Sequence, residues 1–343
     1  MKYIRRIKVA VLGATGMVGQ VFTWMLAEHK LFTPFYLAAS PAKKGLTYVE
    51  AARWSIPVTM PESVKSIKIR AIDIKTMKEE GIKVVFSALP EEIAKDIEPK
   101  LREENFYVFS NASAMRYEED IPILIPEANP DDISFIEKQG FPERGFVITN
   151  ANCSTTGLAV ALAPLKKFTI QKIFVSTLQA ISGAGYPGLS AMDMMSNAIP
   201  FIKNEEEKIK KELKKILHSS FEIYPTCVRI PVIFGHLESV WIKFKDNPSL
   251  SNIIEEWNKS KGNNSNIFSM PEKSIIYRAE DDFPQPKLSF EGTPPGMSVY
   301  TGRLRKECDY IGFVLLINNI VKGAAGGSIQ NADLFYKNYR NLL

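Results

Sequence analysis

Apolar positions in the first 150 residues recur with two periods. Residues 7–12 form a short β-rich run that stops at Gly13. Beyond it Val18, Val21, Phe22 and Met25 fall at i, i+3, i+4 and i+7, the stripe of an amphipathic helix. Further strands are predicted at residues 35–39, 84–86, 107–109 and 146–148, with a helix over 91–102. Strands that alternate with helical stretches predict a parallel sheet with crossover helices. From about residue 150 the texture changes. Strand-like runs at 173–178, 227–233, 240–244 and 297–301 are separated by long helical or loop segments, including the charged run 204–217. This pattern predicts a second, α+β domain. A Gly/Ala-rich stretch at 323–327 precedes a final short helical tail.

Composition narrows the class. The 343 residues are 45% apolar and 24% charged, enough for a sizeable core, which excludes disordered, collagenous and coiled-coil chains. A formal net charge of +5 is too small a surplus to argue for nucleic acid. Cys153, Cys227 and Cys308 lie far apart without a CxxC pair, against a disulfide framework or a zinc site and in keeping with a reducing cytoplasm. Lys2, Arg5 and Arg6 ahead of an apolar run mimic a secretion leader. Lys8 interrupts that run and a glycine motif follows at once, so the segment reads as a buried strand. No apolar run approaches the ~18 residues of a membrane helix, and 313–317 falls far short of it. A soluble cytoplasmic protein is expected, with no metal, nucleic-acid or membrane partner.

Gly13-Ala14-Thr15-Gly16-Met17-Val18-Gly19 follows a strand and opens a helix, the context a dinucleotide-binding loop requires. Glycine there allows a tight turn and close backbone approach, and the helix N-terminus attracts pyrophosphate. The acid that would grip a ribose 2′-hydroxyl is absent from residues 37–47. Ser40, Lys43 and Lys44 stand there instead, a hydroxyl and two cations that suit a 2′-phosphate and favour NADP over NAD. The bland alternative is that these lysines decorate a solvated loop.

Cys153 lies in Asn150-Ala151-Asn152-Cys153-Ser154-Thr155-Thr156, between a strand and a helix marked by Leu158, Ala161, Leu162 and Leu165. A cysteine at a helix N-terminus feels the dipole, which favours its thiolate, and neighbouring N–H groups can receive an oxyanion. A small buried cysteine is the alternative. A cysteine nucleophile needs a proton carrier. Of three histidines, His29 and His218 are expected at the surface, and His236, between two strands of the second domain, is the candidate base.

These segments together resemble the aspartate-semialdehyde dehydrogenase family, in its archaeal and fungal-like branch. The resemblance also rests on Ser110-Asn111-Ala112-Ser113-Ala114-Met115-Arg116, Ile125-Pro126-Glu127-Ala128-Asn129 and Gln179-Ala180-Ile181-Ser182-Gly183-Ala184-Gly185-Tyr186. It continues through Asn204-Glu205-Glu206-Glu207-Lys208, Arg229 with His236, and Gly323-Ala324-Ala325-Gly326 leading to Gln330-Asn331-Ala332. It covers nearly the whole chain. It implies an α/β fold with a Rossmann-type NADP-binding domain over 1–150, joined by the tail 326–343, and a catalytic and dimerisation domain over 151–325. The implied reaction is NADPH-dependent reductive dephosphorylation of L-aspartyl 4-phosphate to L-aspartate 4-semialdehyde, a step toward lysine, threonine, methionine and isoleucine. Cys153 would form an acyl thioester, His236 would act as acid/base, and Gln179 would orient the acyl group. Arg229 would hold the α-carboxylate and Glu205 the ammonium, with Glu206 left open as its rival. Arg116, Asn111 and Lys208 would hold phosphate. Gly13, Thr15, Gly16, Met17, Val18, Ser40, Ser87, Ala88 and Leu89 would line the NADP site, with Ser182, Gly183, Gly185 and Asn331 at the nicotinamide end. The resemblance implies a homodimer or homotetramer. Taken without it, Glu205 and Lys208 read as an ordinary solvated helix, and Arg229 as an outward-facing strand residue. The rival substrate is malonyl-CoA, reduced by NADPH on the same scaffold.

Overall fold

A computed structural model describes residues 6–260 and 267–340. Lys2, Arg5 and the last three residues of the predicted tail lie outside the described residues. The first sheet holds β1 (Ile7–Leu12), β2 (Phe32–Ala38), β3 (Val84–Ser87), β4 (Tyr107–Ser110) and β5 (Phe146–Thr149), in the order β2-β1-β3-β4-β5. Every pairing is parallel, as the alternation predicts. Helices α1 (Met17–Ala27) and α2 (Glu91–Glu103) make crossovers. The strand order reverses beside β1, so the loop after β1 opens at the switch point where a doubly wound sheet receives ligands. Gly13 in that loop has φ +75°, and a Cβ there would stand 2.5 Å from the Ala88 carbonyl oxygen. Only glycine lets the loops after β1 and β3 meet this closely.

The second sheet is mixed. Its strands are β6 (Ile170–Gln179), β7 (Glu222–Arg229), β8 (His236–Phe244), β9 (Ile275–Tyr277), β10 (Val299–Glu307) and β11 (Tyr310–Ile317), in the order β7-β6-β8-β11-β10-β9. Helices α3 (Cys153–Leu162), α4 (Glu205–Leu217) and α5 (Leu250–Lys259) contribute Leu158, Leu213 and Trp257 to one core with Val175, Val240 and Phe313 of the sheet. The opposite face is covered in part, where Phe283 buries Tyr300 and Leu316, and open elsewhere. There Phe174 and Tyr224 stack at 5.0 Å, both exposed.

Three boundaries differ from the pattern, and one of them is the strand expected at 297–301, which runs over Val299–Glu307. The strand expected at 227–233 runs over Glu222–Arg229, because residues 222–229 alternate outward and inward and Pro231 has no N–H to continue the ladder. The strand expected from 240 begins at His236, which places that histidine on the sheet's first inward position rather than in a turn. The run 313–317, weighed above only for membrane length, is part of β11, buried beside β8. No helix among the described residues is long and apolar enough to cross a membrane.

The final helix, α6 (Gly326–Tyr339), is not a surface tail. Its residues 326–335 are buried, and Phe335 lies 4.7 Å from the Phe146 ring in the core of the first sheet. The chain thus returns to its first sheet, where Ile329, Ala332 and Phe335 of α6 join the core.

Candidate active site

The first residue of α3 is Cys153. Its N-cap, Asn152, accepts from the Ser154 and Thr155 N–H groups at 3.0 and 3.3 Å through its side-chain oxygen. Helix α4 holds the cap from two sides. The Asn152 side-chain amide donates to Glu205 Oε2 at 2.8 Å, and its backbone N–H donates to Glu212 Oε2 at 2.7 Å. Glu205 and Glu212 are seven residues apart on the face that also carries Ile209, Leu213 and Ile216, so both point inward.

Cys153 Sγ lies 3.1 Å from His236 Nε2. The other ring nitrogen, Nδ1, accepts the Ala180 peptide N–H at 3.0 Å, so the neutral ring carries its proton on Nε2, facing the sulfur. Burial pushes the Cys153 thiol up to about 12, with the Glu205 charge adding to it and Arg229 opposing. Burial and then the Arg229 cation push the imidazole down to about 3. Desolvation thus opposes the helix dipole at Cys153, which keeps partial exposure, and favours a neutral thiol beside a neutral imidazole.

A cleft of ≈480 Å³ opens in front of this pair, lined by residues 16–19, 88–91 and 111–113 from the first domain and 182–186 from the second. Gly16, Met17, Val18, Ala88, Leu89, Ser182, Gly183 and Gly185 all line it, as do Cys153, Gln179, Arg229, Glu205, Lys208, Arg116 and Asn111. No side chain caps α1, whose first residues border the cleft, an arrangement that fits a pyrophosphate. Lys43 Nζ donates to the Thr15 hydroxyl at 3.0 Å, which brings the cationic loop onto the glycine loop and fits a further phosphate. Ser40 is exposed beside it.

Five expected positions differ in environment. Ser87 and Asn331 do not line the cleft. Ser87 is buried at the end of β3, and the Asn331 amide is spent on the Leu124 carbonyl at 3.0 Å. Arg229 faces inward, 6% exposed, with Nη1 donating to the Ala180 carbonyl at 2.6 Å. Glu206 turns away from the cleft to accept the Cys227 N–H, whereas Glu205 faces in, 3.3 Å from Lys208 and 3.3 Å from the Gln179 amide. His29, expected at the surface, is buried against Phe32 and 3.3 Å from Asp333, because α6 covers it. His218 is exposed, as expected.

The motifs assign no role to Glu212, Glu238 or Gly323. Glu212 accepts from Arg116 Nη1 at 2.9 Å as well as from Asn152, which ties the anion end of the cleft to the nucleophile. A charged residue on the apolar stripe of 209, 213 and 216 was its signal. Glu238 shares the inward face of β8 with His236, and the period of two would have placed it there. Gly323 faces Cys153 so closely that a Cβ would stand 2.8 Å from the cysteine Cβ. Lys322, buried next to it, is held by both Glu127 oxygens at 2.7 Å.

Comparison with known proteins matches residues 8–136 to a family model described as semialdehyde dehydrogenase, NAD binding domain, and residues 162–322 to semialdehyde dehydrogenase, dimerisation domain. An aspartate-semialdehyde dehydrogenase of Archaeoglobus fulgidus is 41% identical over 344 residues, covering 97% of this chain and 98% of the relative. A malonyl CoA reductase (NADP) of Metallosphaera sedula is 34% identical over 348 residues, covering 96% and 97%. The crystal structure of the Candida albicans aspartate semialdehyde dehydrogenase with NADP superimposes with a TM-score of 0.87 at 32% identity, over 99% of this chain and 100% of that one.

Proposed function

The chain belongs to the aspartate-semialdehyde dehydrogenase family and is an oxidoreductase; from that premise we propose that it reduces L-aspartyl 4-phosphate to L-aspartate 4-semialdehyde with NADPH. The observation that carries this reading is the charge pattern around Cys153. Arg229 and Glu205 line the cleft with a cation and an anion, suited to an amino acid's carboxylate and ammonium, and Arg116 and Lys208 line it with cations for a phosphate. Malonyl-CoA has no ammonium for Glu205 to receive.

Cys153 attacks the acyl carbon, phosphate leaves and a thioester remains, which divides one hard displacement into easier steps. Gln179 orients the acyl group, and His236, whose Nε2 lies 3.1 Å from the Cys153 sulfur, serves as acid/base. Arg116, Asn111 and Lys208 receive the departing phosphate. Residues 13–19 would hold NADPH, with Ser40, Lys43 and Lys44 suited to its 2′-phosphate, and the bound group would supply the hydride that the thioester needs. Collapse then frees the aldehyde from the sulfur. The proposed division of labour assigns 1–150 with the tail 326–343 to the cofactor, and 151–325 to catalysis and self-association. The open part of the second sheet's outer face, with Phe174 and Tyr224, supports a homo-oligomer, and the reaction supports a cytoplasmic role in making lysine, threonine, methionine and isoleucine.

Cofactor absorbance tests this. Aspartate semialdehyde with phosphate and NADP is expected to turn over in the oxidative direction, and malonyl-CoA with NADPH is not. Cys153→Ser is expected to lose turnover and keep NADP binding. Turnover with malonyl-CoA alone would overturn the substrate, and unchanged turnover in the serine variant would remove Cys153 from the chemistry.

A further inference from the structure

One side of α4 carries more than the residues that line the cleft. Glu205, Lys208, Glu212 and Lys215 fall at i, i+3, i+7 and i+10, a single stripe about 15 Å long. Glu205 and Lys208 line the cleft, and Glu212 holds the Arg116 guanidinium from 2.9 Å. Lys215 continues the stripe beyond it. Its Nζ donates to the carbonyl oxygens of Arg116, Glu118 and Ile121 at 2.9, 2.8 and 2.9 Å. We propose that Lys215 is a positioning residue for the anion subsite, fixing the backbone of the turn that carries Arg116 to the helix that carries Lys208. The proposal rests on the reading of Arg116 and Lys208 as the phosphate cations.

An ammonium has three N–H bonds and no acceptor, so three carbonyls saturate it. Lys210, on the exposed side of the same helix, takes the ordinary local partner, Glu207 one turn away. Lys215 instead reaches to segments 94 to 99 positions earlier in the chain, across the boundary between the two domains.

The turn needs such a tie. Within residues 113–121 its own peptide bonds are long: the Arg116 N–H reaches the Ser113 carbonyl at 3.3 Å, and the Glu118 N–H reaches that of Met115 at 3.4 Å. Met115 and Ile121 are buried in the core beside the first sheet, and the Gln139 amide donates to the Asp120 carbonyl at 3.0 Å. Those contacts hold the turn to the first domain. Lys215 holds the same turn to the second at three points, and the Arg116 carbonyl is one of them.

The Arg116 guanidinium donates to Glu212 and to the Asn111 carbonyl, each at 2.9 Å, while its Nε is buried without a hydrogen-bond partner among the described residues. Donor capacity is therefore left for an anion, and its aim follows from where the backbone at 116 is set. A phosphate gripped by Arg116 from the turn and by Lys208 from α4 needs those cations at a fixed separation. Movement of the turn changes that separation, whereas Cys153, His236 and Arg229 stand on α3, β8 and β7, outside this tie.

Calorimetric titration of inorganic phosphate into the enzyme with NADP bound tests this, below the melting temperature of each variant. Lys215→Met keeps an apolar stem and removes the donors. It is expected to weaken phosphate binding by roughly 10-fold or more, the worth of one charge-assisted bond that is no longer aimed, and to leave NADP affinity unchanged. Lys214→Met removes the same charge from an exposed neighbour and is expected to bind phosphate as the parent does. Because Lys215 acts through Arg116, Lys215→Met is expected to change little once Arg116→Ala is in place. In turnover the KM for phosphate should rise while the KM for aspartate semialdehyde holds. Lys215→Gln, shorter and unable to reach all three carbonyls, carries the same expectation and stands in should Lys215→Met fail to fold. Parent-like phosphate affinity in the folded Lys215 variants overturns the proposal. So does an equal loss in Lys214→Met, or an undiminished loss in the Arg116→Ala background. A parent that binds no phosphate overturns the phosphate reading itself, and this assignment falls with it; a parent that binds phosphate no better than Lys215→Met overturns this assignment alone.

Discussion

Glu212 offers the sharpest test of how the site is held. Its carboxylate lies with no side-chain exposure against Arg116, whose own side chain is 7% exposed, at 2.9 Å, and it also accepts the Asn152 backbone N–H at 2.7 Å. Truncation in Glu212→Ala strands a buried guanidinium, a loss of about 3–5 kcal/mol where one partner of a buried pair is removed. It also orphans the N–H, worth about 1–3 kcal/mol alone. The two share one network and do not add, so about 3–5 kcal/mol is expected in urea unfolding at neutral pH. Because most of that loss is the stranded cation, Arg116→Ala in the same chain should restore part of it. The double-mutant cycle is expected to give a coupling of roughly 1–3 kcal/mol. kcat should fall by about 100-fold in Glu212→Ala, since a shift near 1 Å at the Asn152 cap misaims Cys153. Additive single mutants, or a Glu212→Ala protein within about 1 kcal/mol of the parent, would refute the reasoning.

Other changes probe neighbouring parts. Gly323→Ala drives a methyl to 2.8 Å from the Cys153 Cβ, an atom anchored to the start of α3, so overpacking of about 1–3 kcal/mol and slower alkylation of Cys153 by iodoacetamide are expected; unchanged rate and Tm would contradict the contact. Glu238 keeps its proton in the fold at a pH where the unfolded chain, near 4.5, has lost it. The parent therefore loses stability as pH rises above that value, by up to about 1.4 kcal/mol per pH unit until the folded carboxyl ionises. Glu238→Gln lacks this loss, so its stability relative to the parent should rise between pH 5 and 7, and a constant difference would be inconsistent with a neutral buried acid. Lys43→Ala, which loses the contact to Thr15, should lower kcat/KM for NADP by roughly 10–100-fold, the worth of one charge-assisted bond, and leave NAD nearly unaffected. An equal drop for both cofactors would separate this lysine from the 2′-phosphate.

What the chain reveals without its fold is what neighbours in sequence decide. The strand at 7–12, its glycine loop and the helix behind it are legible because period and turn chemistry are local, and so is Cys153 at a helix start. The parallel sheet follows from the alternation of such units. The stretch 222–229 is less legible, since its alternation mixes tyrosine, proline and cysteine, and β7 tolerates Pro225 because it is an edge strand. Tertiary structure decides the rest. The sequence places Cys153 where a helix dipole favours thiolate, but only the folded site shows the desolvation that opposes the dipole and pushes the thiol up. His29 looks like a surface residue until α6, some 300 positions later, covers it. Glu205 and Glu212 look like part of a charged helix, yet both are buried on its inner face, held by the cap of another helix. Which nitrogen of His236 bears the proton depends on a peptide 56 residues away. Desolvation and hydrogen-bond partnership arise only when distant segments pack, and a one-dimensional pattern carries no record of which segments those are.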